Sequence, residues 1–254
     1  MTDEVQDIFS DIHSGLPREG PGDNASTRRA FSLLPGLPAG SRILDVGCGP
    51  GMQTLELATL TDGDIYALDI RQEFLDTLSE NARRQSTPAK ITPVLGSMFE
   101  MPFEPMSFDL IWSEGAIFII GFEKGLTAWR PFLREQGLMS VTHISWLKPS
   151  VPEEPKSFWQ TAYPEITSVE ENLATIEKCG YKNLGQFTLP EAAWWDDYYA
   201  PLKKRLGLFK EKYKDDPSAL ALIDGELSEI ALYKEYSHYY GYVFYLMQKT
   251  ARPE

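Results

Sequence analysis

Three carboxylates and one histidine stand where they could do chemistry. Asp45 closes a short apolar run and is followed by Gly47-Cys48-Gly49-Pro50-Gly51. An acid beside a tight glycine turn repels a phosphate and suits a cationic ligand. Asp69 closes a second apolar run about twenty residues beyond the glycines, the distance of one strand–helix–strand step. A carboxylate there can accept hydrogen bonds from both hydroxyls of a ribose. Glu114 follows a third run, Phe108-Asp109-Leu110-Ile111-Trp112-Ser113. It could orient an amine or hydroxyl, or act as a base. His143, within Ser140-Val141-Thr142-His143-Ile144-Ser145-Trp146, could relay a proton or support the fold as a hydrogen-bonded histidine.

The spacing of Gly47, Gly49 and Gly51 decides among nucleotide corners. A dinucleotide fingerprint needs G-x-G-x-x-G, so that a pyrophosphate can lie on the helix N-terminus. Here the pattern is G-x-G-x-G, and residue 52 is Met. A P-loop needs a Gly-Lys-Ser/Thr ending, which is absent. A phosphate cradle is therefore not expected.

The elements that must position these residues alternate. Strands are expected at 42–46, 64–69, 91–95, 108–113 and 138–144, with helices from Met52 to Leu60, Gln72 to Gln85 and Glu123 to Phe132. An earlier helix from about Ala25 to Leu34 can be capped by Asp23 or Asn24. Such alternation means a parallel sheet with helices on both faces, an α/β fold. Residues 147–166, with Pro149, Pro152 and Pro155, read as an irregular excursion. A helix from Ser168 to Cys179 opens with the capping pair Ser168 and Glu171. A strand follows at 183–188. Residues 191–237 read as helical, and 239–248 as an aromatic-rich antiparallel strand.

With its acid-plus-G-x-G-x-G run, the strand-end Asp69-Ile70, the Gly96-Ser97-Met98-Phe99-Glu100-Met101-Pro102-Phe103 segment and the Phe108-Asp109-Leu110-Ile111 strand entrance, the sequence resembles the class I S-adenosylmethionine-dependent methyltransferases. It is most similar to the branch typified by ubiquinone and menaquinone biosynthesis. The likeness covers about residues 38–190 and the last strand. It implies a Rossmann-like three-layer sandwich with a mostly parallel seven-stranded sheet and an antiparallel last strand. It also implies S-adenosyl-L-methionine as cofactor, S-adenosyl-L-homocysteine as product, and methyl transfer to N, O or C of a small molecule. Asp45, Gly47, Cys48, Gly49 and Gly51 would hold the methionine end. Asp69 would hold the ribose, Ile70 the adenine face, and Ser97 and Met98 the adenine edge. Ser97 stands where many relatives carry Asp. Glu114 falls beside the methionine end, and Glu114 and His143 are the candidate catalytic groups. The expected organisation is an arm (1–37), a methyltransferase domain (38–190 plus 238–250) and a helical lid insertion (191–237). Gly20-Pro21-Gly22 would let the arm fold over the cofactor. The aromatics 194–199 and 239–242 would mostly pack the lid on the sheet, with one or two lining the pocket.

Composition narrows the partners. The chain has 254 residues and a formal net charge of −13, which argues against nucleic acid, since phosphate binding needs clustered Lys and Arg. Two cysteines, Cys48 and Cys179, have neither a disulfide framework nor metal-ligand spacing. No apolar run suits a signal segment or a membrane span. Expected partners are a small-molecule acceptor and at most a second copy in a homodimer, in the cytoplasm, without metal, nucleic acid or membrane. A nicotinamide-dependent oxidoreductase would share the sheet and the ribose acid, and a non-catalytic S-adenosylmethionine-binding module would share the whole pocket. Both stay open as alternatives.

Overall fold

A computed structural model describes residues 8–9, 11–13, 15–85 and 90–251. The polar beginning of the arm, residues 1–7, lies outside the described residues. Strands β1 (Arg42–Val46), β2 (Asp64–Asp69), β3 (Ile91–Leu95) and β4 (Phe108–Ser113) fall on the expected segments. Helices α1 (Asn24–Leu33), α2 (Met52–Leu60) and α3 (Gln72–Arg84) precede or connect the first three strands. Asp23 caps α1, its side chain accepting from the Ser26 amide, which satisfies one of the free N–H groups of the first turn.

The second half follows the same logic with more departures. Helix α4 (Phe122–Trp129) leads into β5 (Leu133–Trp146), twice as long as the expected strand. Residues 147–166 are not an irregular excursion, because α5 (Glu153–Ala162) forms within them. Pro152 and Pro155 flank or occupy the first turn, where a missing N–H costs nothing, and Glu153 and Glu154 favour the helix dipole there. A two-residue strand β6 (Thr167–Ser168) then joins the side of β5. Helix α6 (Val169–Lys178) carries the full Ser168–Glu171 capping box. Next come β7 (Tyr181–Thr188), α7 (Ala192–Trp194), a π-helical turn (Trp195–Tyr199), α8 (Ala200–Lys212), α9 (Pro217–Tyr236) and β8 (Tyr240–Lys249).

The sheet runs β3-β2-β1-β4-β5-β8-β7, with β6 beside β5. Only β8 is reversed, antiparallel to both β5 and β7. The expected seven strands and reversed last strand are present, and β6 makes an eighth. Side chains alternate between two cores. Ile43, Trp112 and Phe244 pack with α1, α2, α3 and the 192–236 helices. Leu44, Ile111 and Val243 pack with α4 and α6. The chain leaves β1 toward β2 on one side and returns to β4 on the other. The carboxyl ends of these strands are where an open α/β sheet binds ligands.

Candidate functional site

A cavity of about 330 Å³ opens at the carboxyl ends of β1 to β4. Its floor is the glycine turn. The amides of Gly47 and Cys48 both donate to the Leu68 carbonyl, at 2.9 and 3.0 Å, and the Gly51 amide donates to the Cys48 carbonyl. The Gly49 amide donates to Asp69 Oδ2 at 2.9 Å. These four N–H groups are consumed inside the protein, so the turn offers no phosphate cradle. Gly47 is required twice over. Its φ of 70° disfavours a side chain, and a Cβ would stand 2.5 Å from that of Ala116.

Asp69 is buried at the end of β2 and lines the cavity. Burial raises its pKa, against the opposing pull of the Arg71 and Gly49 amides. Ile70, next to it, is 70% exposed although apolar, and it too lines the cavity. Ser97 and Met98 form the adjoining wall after β3. Ser97 Oγ accepts from the Phe99 amide at 3.2 Å, and the Met98 carbonyl accepts from Trp129 Nε1 at 3.1 Å.

Three expected site residues are placed differently. Asp45 and Gly51 do not line the cavity. Asp45 points to the helix side of β1, fully buried, where its Oδ2 accepts the Thr54 hydroxyl at 2.6 Å. Burial pushes its pKa up to about 7. Gly51 is the left-handed residue that starts α2, and a Cβ there would meet Leu78 at 2.2 Å. His143 lies in neither a catalytic nor a hydrogen-bonded setting. It stacks on Phe122 at 4.4 Å with Tyr163 edge-on, and both ring nitrogens lack partners. Burial lowers its pKa to about 3. Its face of β5 packs against α4, away from the cavity.

Glu114 lines the cavity, but its oxygens are committed. Oε1 accepts from Thr27 Oγ1 at 2.7 Å and Trp112 Nε1 at 2.9 Å. Oε2 pairs with Arg18 Nη1 at 2.9 Å. A carboxylate so tied is an anchor rather than a base. What it anchors is the N-terminal arm, and Arg18, Glu19, Gly20 and Pro21 all line the cavity. The Gly22 amide donates to the Ala193 carbonyl at 2.9 Å, which fastens the arm to the helices beyond β7. Arg18 was not singled out from sequence, although a cation two residues before a Gly-Pro-Gly turn is its one local signal. Gln53, Phe74, Phe118 and Ile119 also line the cavity without any motif to mark them. The aromatics at 194–199 and 239–242 do not line it; Trp194, for example, stacks on Tyr233 at 4.0 Å inside the core.

No group of three or more His, Cys, Asp or Glu among the described residues could hold a metal ion. No described helix is long and apolar enough to cross a membrane.

Strand order and the single reversed strand define a Rossmann-like α/β domain, with an acid at the end of β2 facing a glycine turn. Residues 43–137 match the family of the methyltransferase domain. A 27-O-demethylrifamycin SV methyltransferase of Amycolatopsis mediterranei is 29% identical over 94 residues, 36% of this chain and 34% of that protein. The alignment thus spans about a third of that relative's length. A methyltransferase from Thiobacillus denitrificans, solved in complex with S-adenosyl-L-homocysteine, superposes with a TM-score of 0.78 at 20% identity, covering 94% of this chain and 97% of that one. The [4+2]-cyclase SpnF superposes with a TM-score of 0.72 at 18% identity, covering 98% and 93%. At these identities the structural likeness is one of fold. Residues 43–137, which hold the acid and glycine corner, thus carry the likeness to the methyltransferase domain, over less than half of the chain.

Proposed function

We propose that the protein transfers a methyl group from S-adenosyl-L-methionine to a small-molecule acceptor. The observation that carries this reading is a single cavity in which the glycine turn, Asp69, Ser97-Met98 and the Arg18–Glu114 pair share the walls. The residues fit the cofactor. Asp69 has lone pairs left for two ribose hydroxyls after accepting two amides. Ile70 is an apolar surface of the size an adenine face would cover. Glu19, Asp69 and Glu114 outnumber Arg18 and Arg71 in the cavity wall by one, a balance that suits a cationic ligand carrying a sulfonium and an ammonium.

When bound, the cofactor supplies an already activated methyl group on sulfur. The protein's part is placement. The acceptor atom must sit about 3 Å from the methyl carbon, in line with the carbon–sulfur bond. Asp69 and the glycine turn fix the nucleoside, and the Gly20-Pro21 turn closes over it and excludes water. Glu114 is occupied and His143 is remote, so neither is assigned as a base. The reaction then suits an acceptor that arrives unprotonated, such as a neutral amine or an enolate-like carbon.

Calorimetric titration with S-adenosylmethionine, S-adenosylhomocysteine and NADH tests the reading directly. Binding of the two adenosyl ligands without NADH is the expected result. NADH binding alone would overturn it in favour of an oxidoreductase. Methylation is then read by mass spectrometry over a panel of small amines, phenols and carbon acids. Because SpnF, a cyclase, has the same fold, tight binding with no methylated product across the panel would count against methyl transfer.

A further inference from the structure

Eight large apolar side chains are exposed among the described residues, and four of them, Ile70, Phe99, Phe118 and Ile119, line the cavity at the carboxyl ends of β1 to β4. Apolar surface gathered in this way marks a place where a ligand is covered. Ile70 lies on the nucleoside side, after β2. Phe118 and Ile119 follow β4, and the cofactor reading leaves them unused.

The turn that carries this pair is built to present it. Residues Ile117–Ile119 form a single 3-10 turn. Its entrance is fixed by the Gly115 amide, which donates to Thr142 Oγ1 at 2.7 Å. Its exit is fixed by the Gly121 amide, which donates to the Ile117 carbonyl at 3.1 Å. Ile117 is fully buried and anchors the turn in the core, whereas Phe118 and Ile119 are 38% and 55% exposed. The Phe118 ring also stands edge-on to Tyr163, with centroids 6.1 Å apart. One side chain in and two out leaves apolar area in water, at about 25 cal/mol per Å², until a ligand covers it.

Nothing beside this pair matches an anion. Among the described residues the cavity wall holds two cations. Arg18 is paired with Glu114, and Arg71 follows β2 and lies over the Phe74 ring at 5.3 Å. A carboxylate or phosphate on the acceptor would lose water beside Phe118 and Ile119 without gaining a partner. No base is assigned either, so the attacking atom must carry a free lone pair at neutral pH. A nitrogen attached to an aromatic ring meets both demands. Conjugation keeps it unprotonated, and the ring supplies an apolar face.

We propose that Phe118 and Ile119 form the acceptor seat and that the acceptor is an uncharged aromatic amine without carboxylate or phosphate. The inference rests on the methyl-transfer reading above and names its acceptor class. In the transfer, the ring-bound nitrogen uses its lone pair to bond the methyl carbon as the carbon–sulfur bond breaks, and that bond's electron pair stays on sulfur. S-adenosyl-L-homocysteine leaves, and the methylated nitrogen gives a proton to water.

The test uses two probes, 1-aminonaphthalene and 4-amino-1-naphthoate. Each is titrated by calorimetry into the full chain saturated with S-adenosyl-L-homocysteine, and its methylation is followed by mass spectrometry with S-adenosyl-L-methionine. The wild type is expected to methylate the neutral amine and to bind it about 10-fold or more tightly than the carboxylate. Ile119→Ala, at an exposed position, should keep cofactor affinity and weaken the neutral probe about 4–15-fold, the worth of one or two buried methylene groups. Ile119→Lys supplies the missing cation and should narrow the preference several-fold. Equal or tighter binding of the naphthoate to the wild type, or unchanged binding of the neutral amine to Ile119→Ala, would overturn the seat. Methylation of other small molecules but not of the aromatic amine would overturn the acceptor class. A wild type that binds neither adenosyl ligand would instead overturn the cofactor reading on which the seat rests.

Discussion

The two oxygens of Asp69 already accept the amides of Gly49 and Arg71, each at 2.9 Å, so one carboxylate both fastens the glycine turn and faces the cavity. Asp69→Ala removes ribose acceptors and slackens the turn together. Cofactor affinity should fall by ~1.5–3 kcal/mol for each charged hydrogen bond lost, and an unchanged calorimetric constant would contradict the assignment. Glu114 behaves differently. Glu114→Gln leaves the buried guanidinium of Arg18 without its counter-charge, and breaking a buried pair costs about 3–5 kcal/mol. Urea unfolding should therefore show a large loss of stability. If Glu114 were a general base, stability would stay near wild type and only turnover would fall. Asp69 was legible because strand end, spacing and residue type agree. The partners of Glu114 were not, since Thr27 and Arg18 lie 87 and 96 residues away. Asp45 was legible as part of a motif, yet its side chain serves Thr54 on α2 because strand alternation turns it from the cavity.

At the scale of elements, periodicity marked the strands that frame the cavity, and β1 to β4 begin and end where the apolar runs do. The misreadings have local causes. In α5 the prolines looked like breakers, but they fall at the helix start. In β5 the strand was read too short because Arg134, Glu135 and Gln136 are polar. Its start is held by Leu133 pairing with Phe108 of β4, and its end extends through Ser145 and Trp146, which pair with Gly241 and Tyr240 of β8. The turn that starts α2 offers the sharpest element-scale test. Gly51 has φ 91° and no room for a Cβ against Leu78, yet it stands outside the cavity wall. Gly51→Ala should destabilise by ~1–3 kcal/mol through strain and overpacking. A thermal melt matching wild type would show that Leu78 yields. Because the cavity residues are untouched, cofactor affinity measured well below the melting temperature should change little.

Across the whole molecule, the arm and the 192–236 helices form one body through contacts that no local pattern announces. Arg205 on α8 donates to the Ile12 and Asp11 carbonyls, 193 and 194 residues away. His13 lies between Glu19 of the arm and Glu226 of α9, at 3.3 and 3.7 Å. Burial alone would depress His13, but the two carboxylates outweigh it and hold its pKa at about 9 against a usual 6.5. A group raised in this way adds stability that is complete below pH 6.5 and lost as pH climbs through 9. Two buried acids act in the same direction. Burial raises Asp45 and Glu229 to about 7, so the folded chain keeps protons there that the unfolded chain has already released. His143, held near 3, opposes them only below its unfolded value. Between pH 6.5 and 9, therefore, His13 predicts that stability falls as pH rises, Asp45 and Glu229 add to the decline only up to about 7, and self-repulsion of a chain with net charge −13 acts in the same direction. Melting temperatures measured across this window should decline steadily, and a rise would overturn the linkage. In His13→Gln, the part of the decline above pH 7 should flatten, because the proton that ties the arm to α9 is no longer there to be lost.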